Sequence, residues 1–338
     1  MSIWSRAPSR IDLAGGTLDI WPLYLLMDRG LTVNVAITVY SQVWLRPERN
    51  TTYHLVSEDT DREETARTLD ELDPAGPLGL VVRAVRHFAP DPGLTVVTRN
   101  DAPHGSGLGA SSSLVVALLA ALQQLVGRRP NTTDLINLAA DLEAQTLGIP
   151  TGKQDHYAAV YGGANAIWFE PGRNRVENLP FDPDFARRLR QAMVLSYTGR
   201  PRLSAATNWR MLRGYIEERG QTRQTLQRIR DTAFAMREAW LAGDVEAIGR
   251  LLGEEWENRS KLARGVTTPR VEKMIAAARD AGALASKLCG AGGGGCLVTI
   301  AREGRRDKVC RALKEAGARI LDWDFDTEGL VVRRLPET

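Results

Sequence analysis

Apolar and β-branched residues are concentrated in short segments of the first hundred residues, which predicts a strand-rich start to the chain. Segments 31–39, 42–45 and 94–98 alternate or carry runs of Val, Ile and Thr, as half-buried strands do. A continuous apolar run then extends from Leu114 to Leu122, which favours a buried helix. Residues 94–122 are therefore predicted to form a strand, a loop and a helix in that order.

Helical spacing of apolar residues begins after residue 130. Residues 131–147 repeat Leu and Ala at intervals of three and four, and Gly148 and Pro150 end the pattern, so we predict a helix there. Thr151 is expected to cap a second, shorter helix that runs to Val160. Two helices should thus meet at a proline turn.

The second half of the chain predicts an α+β domain. A strand is expected over 192–197 and another over 296–300, and a last strand over 328–334. Helices are predicted over 204–219, 221–241, 244–262, 271–281 and 304–317. This order favours an antiparallel or mixed sheet. Because 338 residues exceed the usual size of a single core, we predict two domains, 1–180 and 181–338.

Composition excludes several classes of protein. A hydrophobic share of 43%, a charged share of 25% and a net charge of +3 are typical of an ordinary globular chain. This charge balance does not indicate nucleic-acid binding. Three cysteines at unpaired spacings argue against a disulfide framework or a zinc site. The longest apolar run falls far short of the roughly 20 residues that span a membrane. We therefore expect a cytoplasmic protein that binds neither membrane nor nucleic acid.

The strongest chemical signal is a glycine-serine loop that enters through Pro103. It reads Gly105-Ser106-Gly107-Leu108-Gly109-Ala110-Ser111-Ser112 and opens the helix predicted above. Glycines let the backbone approach a ligand, and unpaired N–H groups at a helix start attract anions. The loop is therefore predicted to bind phosphate, although a tight connection would have the same composition.

Two common phosphate-binding motifs do not fit this loop. Gly105, Gly107 and Ala110 match the dinucleotide fingerprint, but no acidic residue stands roughly 20 positions further on. A P-loop needs Lys and then Ser or Thr after its last glycine, where this chain has Ala110 and Ser111. Hydride transfer and the P-loop enzymes are both disfavoured.

Three segments together resemble the motifs of the GHMP small-molecule kinases. Residues 6–19 (RAPSRIDLAGGTLD) resemble the first motif, residues 103–113 the phosphate loop, and residues 287–296 (KLCGAGGGGC) the third. A fourth segment, 152–163 (GKQDHYAAVYGG), is similar to the bacterial heptose-7-phosphate kinases and related sugar 1-kinases. The segments occur in the family's order and span the chain.

The resemblance implies a two-domain α+β fold, with an N-terminal mixed α/β domain that carries the phosphate loop and a ferredoxin-like C-terminal α+β domain. ATP and a sugar or sugar phosphate would meet between the domains. The γ-phosphoryl group would pass to the anomeric hydroxyl, with Mg²⁺ as the metal. The acceptor would resemble a heptose 7-phosphate.

The resemblance also implies roles for individual residues. Asp155 would be the catalytic base, and Arg10 would stand beside the transferring group. Glu143 would hold Mg²⁺ with a serine of the loop, here Ser111. ATP contacts are expected at Pro103, Gly105, Ser106, Gly107, Leu108, Gly109, Ala110, Ser111 and Ser112. Substrate contacts are expected at Gly16, Asp19, Asp155, Tyr197, Gly292 and Gly293.

The residues support part of this assignment independently. Asp155 falls in the first turns of a predicted helix and two positions after Lys153, and both the helix dipole and the cation favour its ionised form. A carboxylate that merely complements the dipole would look the same.

The chain departs from the family pattern at two positions. Ala110 stands where many members of the family have the metal-binding serine, and Leu18 stands where the heptose kinases have threonine.

Several functions fit these patterns. The first is an ATP- and Mg²⁺-dependent sugar kinase. The second is a non-catalytic relative that binds sugar and nucleotide and regulates a partner. A kinase for another acceptor, such as a galactose-like sugar or a mevalonate-like alcohol, and a decarboxylase of the mevalonate type remain as further alternatives.

Overall fold

The computed structural model describes residues 2–128, 131–201, 204–218 and 220–336. Its strands are β1 (Ser2–Ala14), β2 (Gly30–Glu48), β3 (Tyr53–Ser57), β4 (Arg62–Ala66), β5 (Gly93–Asn100), β6 (Ala164–Phe169), β7 (Asn174–Leu179), β8 (Met193–Tyr197), β9 (Ala283–Leu288), β10 (Cys296–Ala301), β11 (Arg319–Ile320) and β12 (Val331–Leu335). Its helices are α1 (Leu23–Leu26), α2 (Gly79–Phe88), α3 (Ala110–Leu125), α4 (Thr132–Leu147), α5 (Gln154–Tyr161), α6 (Pro183–Ala192), α7 (Ser204–Ile216), α8 (Thr222–Leu241), α9 (Val245–Arg259), α10 (Pro269–Asp280) and α11 (Arg306–Glu315).

The first sheet is organised around the long strand β2. One edge of β2 pairs with β1, whereas its other edge pairs with β6 over its first residues and with β5 over its last. The strand order is β12-β1-β2-β5-β3-β4, and β7 extends the sheet from β6. Pairing is antiparallel apart from the parallel pair β3–β5. Helices α2, α3 and α4 pack on this sheet through one continuous apolar cluster.

The second sheet has the order β11-β8-β10-β9, and its pairs are antiparallel. Along the chain, β8 is followed by helices, then by the hairpin β9–β10, then by α11 and β11. This arrangement is the β-α-β-β-α-β ferredoxin-like pattern. The predicted fold class, a mixed α/β N-terminal half and a ferredoxin-like α+β C-terminal half, is confirmed.

The structure corrects four details of the predicted elements. The last strand, expected to complete the second sheet, pairs instead with β1 of the first sheet, so the end of the chain returns to the N-terminal half. Strand β9 lies between the predicted helix 271–281 and the predicted strand 296–300, where the sequence pattern predicts no strand. The predicted strands 31–39 and 42–45 are one strand, β2. Thr151 does not cap α5, which begins at Gln154 without a side-chain cap.

Helix starts elsewhere follow the expected chemistry. Asn131 accepts hydrogen bonds from the backbone N–H groups of Thr133 and Asp134 and so caps α4. Gly148, at φ +69°, ends the same helix. Both ends of α4 are thus defined by local contacts, and Glu143, near the end of this helix, is buried.

Among the described residues, none of the helices combines the length and the apolar character that crossing a bilayer would require.

Candidate active site

The glycine loop connects β5 to α3, as the sequence predicts. Gly105, Gly107 and Gly109 have φ of +63°, +79° and +79°, a region that is costly for other residues. Gly109 also lacks room for a side chain, because a Cβ built there would lie 3.0 Å from Oδ2 of Asp155. The loop and the predicted catalytic carboxylate are therefore in contact.

Arg10 joins this loop to Asp155. Its Nε donates to Asp155 Oδ1 at 2.8 Å, and its Nη1 donates to the Gly107 carbonyl at 2.7 Å. The backbone N–H of Arg10 also donates to the Leu108 carbonyl. Burial opposes the charge, but Asp155 and Asp12 raise the pKa of Arg10 above its ordinary value. The guanidinium is therefore a fixed cation at the junction.

The third glycine motif contacts the same loop from the second half of the chain. The Cys296 N–H donates to the Ser106 carbonyl at 2.6 Å. A Cβ on Gly295, whose φ is +88°, would lie 2.4 Å from that carbonyl oxygen. Only glycine permits this approach, so the three motifs predicted from the sequence converge at one place.

Glu143 provides a buried oxygen cluster beside the loop. Ser112 Oγ donates to Glu143 Oε2 at 2.8 Å, and Nε2 of the buried His156 lies 3.1 Å from the same oxygen. Burial favours the protonated acid, but His156, Ser111 and Ser112 together lower the pKa of Glu143 below its ordinary value. An ionised carboxylate with two neighbouring hydroxyls is a donor set that suits Mg²⁺.

Asp19 lies in the loop after β1 and is 3% exposed. Its Oδ2 accepts the N–H of Gln154 at 3.0 Å. Burial, with a contribution from Asp155, raises the pKa of Asp19 to about 6. Gly152 passes so close that a Cβ there would lie 2.1 Å from Asp19 Oδ2. The loop after β1 and the start of α5 therefore form one wall.

Two adjoining cavities meet at the side chains of Glu143 and Asp155. The first, here called the acceptor pocket, is lined by Arg10, Gly16, Asp19, Asp155 and Arg259 among others. The second, called the nucleotide pocket, follows the glycine loop from Pro103 to Ser112 and ends at Ser57, Asp59 and the start of α2. Ser112, Glu143, Leu147 and Asp155 line both cavities. A group transferred between ligands in the two pockets would pass these residues.

Lys153 does not support Asp155 as the sequence suggests. Its Nζ donates to Asn137 Oδ1 on α4 at 2.8 Å, and Arg10 is the cation that contacts Asp155. The reason is geometric, because a residue two positions before Asp155 leaves the helix start in a different direction.

Three residues that the sequence predicts to contact the substrate, Tyr197, Gly292 and Gly293, are not among the described residues that line the acceptor pocket. Tyr197 Oη reaches the His104 carbonyl at 3.4 Å, at the edge of the glycine loop. The Gly293 N–H donates to the Val266 carbonyl, and a Cβ on Gly292 would lie 2.4 Å from that same oxygen. Gly290 and Ala291 line the pocket instead.

Several residues that line the acceptor pocket are not among those predicted from the sequence. Asp12, Thr17 and Arg259 line it, although Arg259, at the end of α9, is far in sequence from every glycine motif. Asp12 could have been found, because it alternates with Arg10 on β1. Ser112 is predicted only to contact ATP, yet its hydroxyl donates to Glu143, and hydrogen bonds from Ser111 and Ser112 both lower the pKa of that carboxyl group.

Two family models match the segments of the chain that carry these residues. Residues 79–163 match the family model described as GHMP kinases N terminal domain, and residues 236–319 match GHMP kinases C terminal. The first covers the glycine loop, Glu143 and Asp155. The second covers Arg259 and the third glycine motif.

Individual relatives include two sugar kinases and one solved structure. The chain is 28% identical to the D-glycero-alpha-D-manno-heptose 7-phosphate kinase of Campylobacter jejuni, over 97% of this chain and 98% of that protein. It is 29% identical to the L-fucokinase/L-fucose-1-P guanylyltransferase of Bacteroides fragilis, over 89% of this chain and 35% of that longer protein. A D-glycero-D-manno-heptose 1-phosphate kinase structure from Bacteroides thetaiotaomicron superposes with a TM-score of 0.80 at 28% identity, covering 99% of this chain and 100% of that one.

Proposed function

Because the chain belongs to the GHMP kinase family, we propose that it transfers the γ-phosphoryl group of ATP to the anomeric hydroxyl of a sugar or sugar phosphate. The observation that carries the proposal is the position of Asp155, which lines both the nucleotide and the acceptor pocket. The heptose 7-phosphate kinase and fucokinase relatives support a sugar as the acceptor.

The chain's own residues account for the reaction. The acceptor oxygen attacks the γ-phosphorus, the bond to ADP breaks, and Asp155 takes the hydroxyl proton. Arg10 stabilises charge on the transferring group while it orients Asp155. Asp19 accepts hydrogen bonds from other hydroxyls of the acceptor. Glu143, Ser111 and Ser112 would hold Mg²⁺, which supplies charge neutralisation on the phosphates.

The test is ADP release with a panel of sugars and sugar phosphates, with mevalonate as a non-sugar acceptor. A sugar kinase releases ADP with at least one sugar, and the product carries phosphate on the anomeric oxygen. A non-catalytic regulator releases none, a mevalonate-type kinase releases ADP only with the acid, and a decarboxylase also releases CO₂. The mevalonate kinase of Thermococcus onnurineus is among the relatives, at 29% identity over 72% of this chain and 70% of that protein, so this control is informative.

Metal dependence provides a second expectation. Glu143→Gln should raise the Mg²⁺ concentration for half-maximal activity by about tenfold or more, because the amide carries no charge for the cation. Asp141→Asn is the matched control, since Asp141 is exposed on the same helix. An unchanged Mg²⁺ titration in Glu143→Gln would contradict the assignment.

The raised pKa of Asp19 predicts an acidic limit to acceptor binding. Below about pH 6 the side chain becomes protonated, and it then accepts fewer hydrogen bonds from sugar hydroxyls. The ratio kcat/KM for the acceptor should therefore fall as the pH drops through about 6, and this fall should be absent from the residual activity of Asp19→Asn. If kcat/KM of Asp19→Asn fell through the same pH range, a group other than Asp19 would be responsible for the fall.

Cytoplasmic location and the absence of nucleic-acid or membrane partners stay predictions of the sequence.

A further inference from the structure

Four charged side chains are buried together beside the acceptor pocket. Lys287 Nζ lies 2.9 Å from Asp12 Oδ2 and 3.5 Å from Glu255 Oε2. Arg259 Nη2 lies 2.5 Å from Glu255 Oε1. Each of these side chains is at most 1% exposed. Asp12 belongs to β1, whereas the other three belong to α9 and β9 of the second half.

Arg259 reaches beyond this cluster to the loop after β1. Its Nη2 donates to the Gly16 carbonyl at 2.6 Å, and its Nη1 donates to Thr17 Oγ1 at 3.1 Å. Its Nε donates to Glu255 Oε1 at 2.8 Å. One planar guanidinium therefore joins α9 to two consecutive residues of the loop, which an ammonium group does not reproduce.

The loop held in this way has an unfavourable backbone. Thr17 has φ of +79°, which is costly for a β-branched residue. Such a conformation persists only where surrounding contacts impose it, and strained residues cluster at ligand sites. Gly16 has no space for a side chain, because a Cβ would lie 2.6 Å from Asp12 Oδ2 and 3.0 Å from Arg259 Nη2.

The position of Asp19 depends on this loop. Asp19 follows Thr17 by two residues, and the loop segment and Arg259 line the same cavity. Glu255 and Lys287 are not among the described residues that line this cavity. They balance the charges of Arg259 and Asp12. A buried ion cluster is weak evidence for a purely stabilising role, because apolar residues often serve as well.

We propose that Arg259 is a positioning residue for the acceptor. It fixes Gly16 and the strained residue Thr17 in the conformation from which Asp19 faces the sugar, so it sets acceptor affinity, whereas the glycine loop sets nucleotide affinity. This inference rests on the proposed function for the identity of the acceptor.

The discriminating variant is Arg259→Lys, which keeps the buried positive charge but loses the planar donor group. We expect its KM for the acceptor to rise about tenfold or more, with KM for ATP within about twofold of the wild type. Arg250→Lys, an exposed residue on the same helix, is the matched control and should leave both constants unchanged. An unchanged acceptor KM, or equal rises in both KM values, would overturn the inference.

A second measurement does not depend on the substrate. The crystal structure of Arg259→Lys should show Thr17 released from positive φ and Asp19 displaced from the Gln154 N–H. Retention of both features would refute the positioning role, whichever alcohol the enzyme accepts. Failure of the wild type to phosphorylate any sugar would instead reject the proposed function and leave this structural test intact.

Discussion

Replacement of Asp155 by asparagine is expected to lower kcat by a factor of about 10² or more while KM for ATP changes little. The amide does not take a proton from the acceptor hydroxyl, yet it has the size of the carboxylate and can still accept a hydrogen bond from Arg10. Steady-state ADP release, with ATP and the sugar varied separately, measures both constants.

Asp134→Asn is the control for this variant. Asp134 stands in the first turn of α4, as Asp155 does in α5. Unlike Asp155, it is exposed, and it is not among the described residues that line either pocket. If Asp155 served only to complement a helix dipole, the two variants would show similarly small effects. Turnover of Asp155→Asn near the wild-type value would remove Asp155 from the catalytic role.

Replacement of Arg10 by glutamine is expected to reduce kcat by about 10²- to 10³-fold, the usual effect of removing a group that stabilises transition-state charge. The change removes the cation between the Gly107 carbonyl and Asp155. Arg10→Lys should recover only part of the activity, because one ammonium group does not reproduce the fork that spans both partners.

Arg6→Gln is the control for this pair. Arg6 lies on the same strand and pairs with a carboxylate, Glu328, but neither residue is among the described residues that line the two pockets. The Arg6→Gln variant should therefore retain nearly the full kcat of the wild type. Equal losses in the Arg6 and Arg10 variants would indicate damage to β1, and full activity of Arg10→Lys would reduce the role of Arg10 to its charge.

The sequence is most informative where chemistry and local structure coincide. The glycine loop could be placed between a strand and a helix because the apolar run after it and the β-branched run before it are both unambiguous. Arg10, Glu143 and Asp155 could be assigned by resemblance. Their contacts with Gly107, Ser112 and Gly109 needed the fold, because those pairs come from separate elements.

Long-range pairing limited the fold prediction. The last strand carries no sign of its partner, so it was placed with the sheet nearest in sequence, whereas it pairs with β1. Strand β9, which reads Ala-Leu-Ala-Ser-Lys-Leu, is short and contains no β-branched residue, and a run of glycines follows it, so its sequence does not indicate a strand.

Arg259 was missed for a related reason. On α9 it has the spacing of an ordinary Glu255–Arg259 helix pair, which is usually a solvated surface contact. Only tertiary packing buries that pair and turns the guanidinium toward Gly16 and Thr17.

The most direct test is a crystal structure with a non-hydrolysable ATP analogue and a sugar that the wild type phosphorylates. We predict that the triphosphate lies along Gly105–Gly109 and that the anomeric hydroxyl lies within about 3.2 Å of Asp155, in line with the γ-phosphorus. A sugar bound with that hydroxyl turned away from Asp155, or a nucleotide bound outside the glycine loop, would contradict the account.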